Sequence, residues 1–227
     1  MPETRTTAAI VGIVVAVGGT ALLASPASRL LGDPDRFSTR ITEQLALWLL
    51  FAAIVAIVLG WEQQPLSSLA LKPFHWTSLA WGVALALTLI YVAVPIAMRV
   101  LAASGLAGFE SGIAKVVALP IWFRIFAVLT AGIVEETLFR GYFLERVAML
   151  SGSYWIAGIL TVIVFALVHL PFWGPGPVLT FFITGGVMTA FFVFRQDLLA
   201  NIVAHVIVDA VGFIVTPMLS GSAGEGG

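Results

Sequence analysis

The sequence predicts an all-α, polytopic membrane helical bundle of about seven transmembrane helices plus a short interfacial helix, built as a single domain over residues 1–227. Three observations predict it. Hydrophobic residues make up 60% of the chain and charged ones 10%, with a mean hydropathy of +1.06, whereas soluble domains are about half apolar and about a quarter charged. Apolar runs long enough to cross about 30 Å of hydrocarbon as helices recur from end to end. Within one of these runs stand Glu135, Glu136 and Arg140. Charges there are costly unless paired or wetted, which makes them candidates for function.

Composition also excludes several classes. The net charge is −1 and no basic run is present, so nucleic-acid binding is set aside and nothing draws the chain generally to anionic surfaces. Cysteine is absent, which removes disulfides, zinc ribbons, thiolate clusters and cysteine nucleophiles. Any metal would have to be held by histidines and carboxylates.

The elements follow in order. Residues 8–24 form an uncharged run read as a retained first span rather than a secretory signal, because a lone Arg5 is offset by Glu3 and the run is long for a signal. A polar loop at residues 32–36 leads to the second span, 45–61. Residues 65–74 are too short to cross and carry Lys72, so they are placed in the interface as the short helix. His75, between Phe74 and Trp76, fits an aromatic belt at the headgroup level.

Residues 77–100 form the third span, with Pro95 expected to kink it and Arg99 to snorkel from its end. Residues 102–119, with Gly105, Gly108, Glu110, Gly112 and Lys115, fit a loop, a partial helix or a re-entrant segment. The fourth helix, 121–149, holds the three charges. The fifth, 155–170, is stopped by Pro171 and the turn-forming Gly174, Pro175, Gly176 and Pro177. The sixth is 178–194, where Gly185 and Gly186 allow close helix approach, and the seventh is 198–219. Residues 220–227 read as a disordered tail. Residues 1–120 thus supply the N-terminal spans and 121–219 a motif-bearing core. No internal repeat is visible, and basic residues divide almost evenly between alternate loops, leaving orientation open.

The polar residues inside the last four helices have informative spacings. Glu136 and Arg140 lie one turn apart on one face, while Glu135 points about 100° away and needs partners from another helix. Phe165 and His169, and His205 and Asp209, share the same one-turn spacing. A neutral imidazole offers a lone pair to a proton, a hydrogen bond or a metal. Each histidine alone fits simple bonding to a backbone carbonyl, and Glu136 with Arg140 fits interhelical glue. Taken together, Glu135, His169, His205 and Asp209 are best satisfied by meeting one another. Depth raises a difficulty: measured from the span ends, His169 falls near one end of its helix and His205 about 10 Å in from the opposite side.

Glu135-Glu136-x-x-x-Arg140, Phe165-x-x-x-His169 and His205-x-x-x-Asp209, in this order on successive membrane helices, resemble the three motifs of the CPBP (Abi) family of intramembrane proteases. That family includes the CAAX prenyl endopeptidases and bacterial proteins linked to bacteriocin processing or self-immunity. The resemblance implies a glutamate-dependent hydrolase in a bacterial-type cell membrane. Glu135 would be the general base, assisted by His169. His205 and Asp209 would stabilise the oxyanion, and Glu136, Arg140 and Phe165 would support the site. The substrate would be a hydrophobic or prenylated peptide cut near its C-terminus, met within the membrane lipids. One position differs: the endopeptidase branch carries Asn where Asp209 stands, and bacterial members carry either. An ionised carboxylate cannot donate to an oxyanion, so Asp209 is expected to orient His205 instead.

Two histidines and a carboxylate also suit a divalent metal such as zinc, and the ligands would then be Glu135, His169 and His205. A metal-free site is favoured, since H-E-x-x-H is absent. Two other classes compete: a catalytically silent immunity or scaffold protein, and a proton-coupled transporter, which the missing repeat disfavours.

Overall fold

The computed structural model describes residues 3–33 and 36–219. The expected tail at residues 220–227, and Pro34 and Asp35 of the expected loop, lie outside the described residues. The chain winds into α1 (Glu3–Ala24), α2 (Phe37–Trp61), α3 (Trp76–Ser104), α4 (Glu110–Val117), α5 (Ile121–Ser151), α6 (Tyr154–Trp173), α7 (Pro175–Arg195) and α8 (Leu198–Leu219). Six of these, α1 to α3 and α6 to α8, are long and apolar enough to cross a membrane, and α4 with α5 makes a seventh that bends by 120°. The protein is a polytopic helical bundle.

α5 is its centre. Every residue from Thr137 to Leu144 is buried, and Leu138, Phe139, Tyr142 and Leu144 share one core with Ala16 of α1, Ile54 and Val58 of α2, Phe165 of α6, Phe192 of α7 and Leu198 of α8. The polar content of α5 explains its position. A helix carrying Glu135, Glu136 and Arg140 cannot face lipid, whereas helices without such groups can, and they surround it. α8 lies closest to α5 at Gly132, where an added Cβ would sit 2.3 Å from Val206 Cγ2 and 3.4 Å from the Ile202 carbonyl. Gly132→Ala is therefore expected to lower stability by about 1–3 kcal/mol. Gly186→Ala, at a position with nothing within 4 Å, should be near neutral; thermal unfolding in detergent compares the two.

The ends are set by polar capping. The Ser153 side chain accepts from Ile156 N at 3.3 Å to start α6. Asp197 accepts from Ala200 N at 3.2 Å to start α8, while its other oxygen takes Ser78 Oγ of α3 at 2.7 Å. Lys72 Nζ donates to the Arg195 carbonyl at 2.9 Å, closing the last turn of α7. Where the last turn of α5 meets α2, Arg146 forms a buried pair with Glu62 at 2.6 Å, and Glu62 also accepts from Tyr142 at 2.7 Å.

Several expectations are corrected. Residues 65–74 form no interfacial helix but one tight turn, Leu66–Leu69, followed by extended chain. They are held against the bundle by buried Leu69 and by a bond from Leu198 N to the Ala70 carbonyl at 3.1 Å. The short helix of the molecule is α4 instead. α3 continues through Pro95 after a more widely wound turn at Leu89–Ala93. α6 does not stop at Leu170: Pro171 sits in the first turn of a last helical segment, where its missing N–H costs nothing, and the chain reverses only at Gly174, with φ of 82°. Of the paired glycines in α7, only Gly185 lies at a helix contact, against Phe165 and Arg140. α1 and α2 begin earlier than their apolar runs, at Glu3 and Phe37.

Candidate active site

The site grows from α5, which is wound more widely than an α-helix over Ala131–Glu135 and Thr137–Leu144. Glu136 and Arg140 pair as their spacing predicts, with Arg140 Nη1 2.8 Å from Glu136 Oε1 and both side chains fully buried. A buried ion pair holds only when its remaining donors and acceptors are also bonded. Arg140 Nε donates to Thr189 Oγ1 at 3.3 Å and Nη2 to the Gly185 carbonyl at 3.4 Å, both on α7. Its guanidinium lies 4.1 Å from the Phe165 ring centre on α6, a contact of the cation–π kind. Phe165 therefore supports the pair. From α8, His205 Nδ1 donates to Glu136 Oε1 at 2.8 Å and Asn201 Nδ2 to Oε2 at 3.4 Å. Four helices are thus tied through two side chains.

Glu135 faces another way, as expected, and its Oε2 lies 3.7 Å from His169 Nε2, each side chain being 18% exposed. That separation is beyond a direct hydrogen bond, yet one water beside the pair could bond both. His169 is held by its other nitrogen: Nδ1 lies 2.6 Å from the Phe165 carbonyl. A carbonyl only accepts, so Nδ1 carries the proton and a neutral His169 turns the Nε2 lone pair toward Glu135. The backbone makes this carbonyl free. Helical bonding slips at His169, whose N–H goes to Ala166 at 3.3 Å, two residues before Pro171.

His205 has its Nδ1 committed to Glu136, and its Nε2 lies 3.5 Å from Asp209 Oδ2. Glu135 lies within the electrostatic influence of His169, His205, Asp209 and Glu136 together. Of the four residues expected to meet, Glu135 approaches His169, the pairing expected, and His205 approaches Asp209. Glu136, expected only to pair with Arg140, also takes His205. The depth difficulty dissolves because α6 runs on past His169 to Trp173, so that His169 and His205 reach the level of Glu135 and Glu136.

Asn201 was missed by sequence reasoning. It donates to Glu136 and to the Met188 carbonyl at 3.1 Å, while its own Oδ1 is buried without a partner among the described residues. The signal was present, since 201, 205 and 209 form one stripe at four-residue spacing. The donors needed for a metal are not gathered: among the described residues, no group of three or more His, Asp or Glu side chains is arranged to hold one. The reason is geometric, since His205 is bonded to Glu136 through one nitrogen and faces Asp209 with the other.

Aromatic rings close the site on the side of α4. The Phe181 ring lies 4.6 Å from that of His169, Phe109 packs on Trp173 at 5.5 Å, and Trp173 stacks on Phe213 at 5.9 Å. The Trp173 ring leaves no room for a side chain at Gly112, so α4 rests directly on the end of α6.

Residues 117–211 match the sequence model of a family described as type II CAAX prenyl endopeptidase Rce1-like. No match was found among curated proteins or among solved structures. The matched segment contains Glu135, Glu136, Arg140, Phe165, His169, His205 and Asp209.

Proposed function

We propose that this protein is an intramembrane endopeptidase that cuts a hydrophobic or prenylated peptide near its C-terminus, in a bacterial-type cell membrane, using water activated by Glu135 and His169. The observation that carries the reading is the 3.7 Å gap between Glu135 Oε2 and a His169 Nε2 whose tautomer is set by the Phe165 carbonyl. A water bonded to both has its proton taken by Glu135 as its oxygen adds to the scissile carbonyl carbon. The carbonyl oxygen becomes an oxyanion, stabilised by the Nε2–H of His205 in its imidazolium form, whose Nδ1–H is held by Glu136. Collapse of the tetrahedral intermediate breaks the C–N bond, and Glu135 returns its proton to the departing amine.

On this reading Asp209 does more than orient His205. Its carboxylate, 3.5 Å from Nε2, offsets the charge of an imidazolium that donates to the oxyanion. Glu136, Arg140 and Asn201 hold His205 in place, and no metal takes part.

Cleavage assays on the purified protein in detergent, with a prenylated CAAX peptide and a Gly–Gly leader peptide, test the proposal. Cleavage of the prenylated peptide by the wild type and none by Glu135→Ala is expected. Excess chelator should leave the rate unchanged; abolition by chelator, with restoration by zinc, would return the chemistry to a metal. Absence of cleavage of either peptide under conditions where the protein is folded would favour the silent scaffold.

A further inference from the structure

At the end of the bundle away from His169, a cavity of about 290 Å³ lies between the first turns of α1, the last turns of α5 and the start of α6. It is lined by Arg5, Ser68, Glu145, Arg146, Met149 and Tyr154 among others, a polar set in a predominantly apolar molecule. Arg146 is already neutralised by Glu62. The two remaining charges are not paired. Glu145 receives Tyr154 Oη at 3.0 Å through Oε2, but its Oε1 is buried without a partner among the described residues. Arg5, half-buried, has no ion-pair partner among the described residues, although it shares the cavity with Glu145.

We infer that this cavity binds a zwitterion carrying a phosphate and a primary ammonium, the headgroup chemistry of an ethanolamine phospholipid. A plain anion would meet the Glu145 carboxylate, and a plain cation would meet Arg5 and Arg146. A ligand with both signs satisfies Arg5 and Glu145 together: its phosphate takes Arg5 and the Ser68 hydroxyl, and its ammonium donates to Glu145. The place in the fold agrees, because the cavity lies at the helix ends, where headgroups are found. A choline headgroup has the same charges but no N–H to give, so it fits less well. The site is independent of the proteolytic chemistry proposed above.

The test is lipid retention by the full-length protein in detergent micelles, read by native mass spectrometry. Phosphatidylethanolamine, phosphatidylcholine and phosphatidylglycerol are offered one at a time. Retention of the ethanolamine lipid about tenfold more tightly than of either other lipid is expected, the worth of one charge-assisted hydrogen bond. Glu145→Gln should remove that preference, whereas Arg5→Gln should weaken retention of all three lipids, since each carries the phosphate; if Glu145→Gln does not fold, Arg5→Gln, whose side chain makes no ion pair among the described residues, carries the test through that general loss. Displacement of the lipid by free phosphoethanolamine would assign the site to a soluble zwitterion, and failure to displace it to the lipid itself. Equal retention of the three lipids, a preference unchanged in Glu145→Gln, or retention unchanged in Arg5→Gln would overturn the inference, and direct pairing of Arg5 with Glu145 would be the explanation.

Discussion

Glu135→Gln is expected to slow cleavage of a prenylated peptide by about 10²- to 10⁴-fold, the usual contribution of a positioned general base. The amide keeps the size and much of the hydrogen bonding of the carboxylate but takes no proton from water. Stability should change little, because Glu135 carries none of the bonds that tie the helices together; those belong to Glu136. His169→Gln should reproduce part of the loss, since an amide can still bond a water but lacks the ring locked by the Phe165 carbonyl. Rates are compared at equal folded protein, established by thermal unfolding. A Glu135→Gln enzyme within tenfold of wild type would remove Glu135 from the reaction. The adjacent Glu136→Gln would then be the variant to assay.

Arg140→Met is the substitution expected to cost most in stability, about 3–5 kcal/mol, because it strands the Glu136 carboxylate in a fully buried position. The loss is not only of charge. The guanidinium also bonds Thr189 and the Gly185 carbonyl and lies over Phe165, so α5, α6 and α7 all lose a shared contact. Glu136→Gln combined with Arg140→Met should recover much of the deficit, since a neutral amide oxygen still accepts from His205 and no charge remains unpaired. A double-mutant cycle in detergent measures this coupling. Arg140→Met within about 0.5 kcal/mol of wild type, the usual range of surface substitutions, would contradict the buried pair. Recovery of stability by the double variant without recovery of cleavage would place the pair's second role in positioning His205.

Much of this site was legible at four-residue spacing. Glu136 and Arg140 pair as read, Glu135 turns away as read, and Phe165, His169, His205 and Asp209 project into one region because residues one turn apart share a helix face. Spacing within a helix, however, says nothing of which neighbouring helix arrives at which height. For that reason His205 could not be assigned to Glu136 rather than Glu135, and Asn201, polar but uncharged, drew no notice although it lies on the same stripe. Glu62 and Arg146 were passed over because they stand near span ends, where charges are usually solvated; their burial depends on a turn of chain, residues 66–69, folding back over them. The segment read as an interfacial helix proved to be that turn. Its sequence has helix-compatible residues between two prolines, and packing against α5 and α8 decided otherwise.

By itself, the sequence determined that this protein is a bundle of membrane helices with α5 inside it. Hydrocarbon admits backbone only as closed hydrogen-bonded elements and tolerates buried charge only with partners, and both constraints act locally on composition and spacing. Tertiary structure alone decided that Glu136 took His205, how far α6 ran past His169, and how α4 came to lie over its end. Those outcomes depend on helix tilt, on the 120° bend between α4 and α5 and on the slip of bonding at His169. Each arises from contacts between segments far apart in the chain, whose relative height no single helix records.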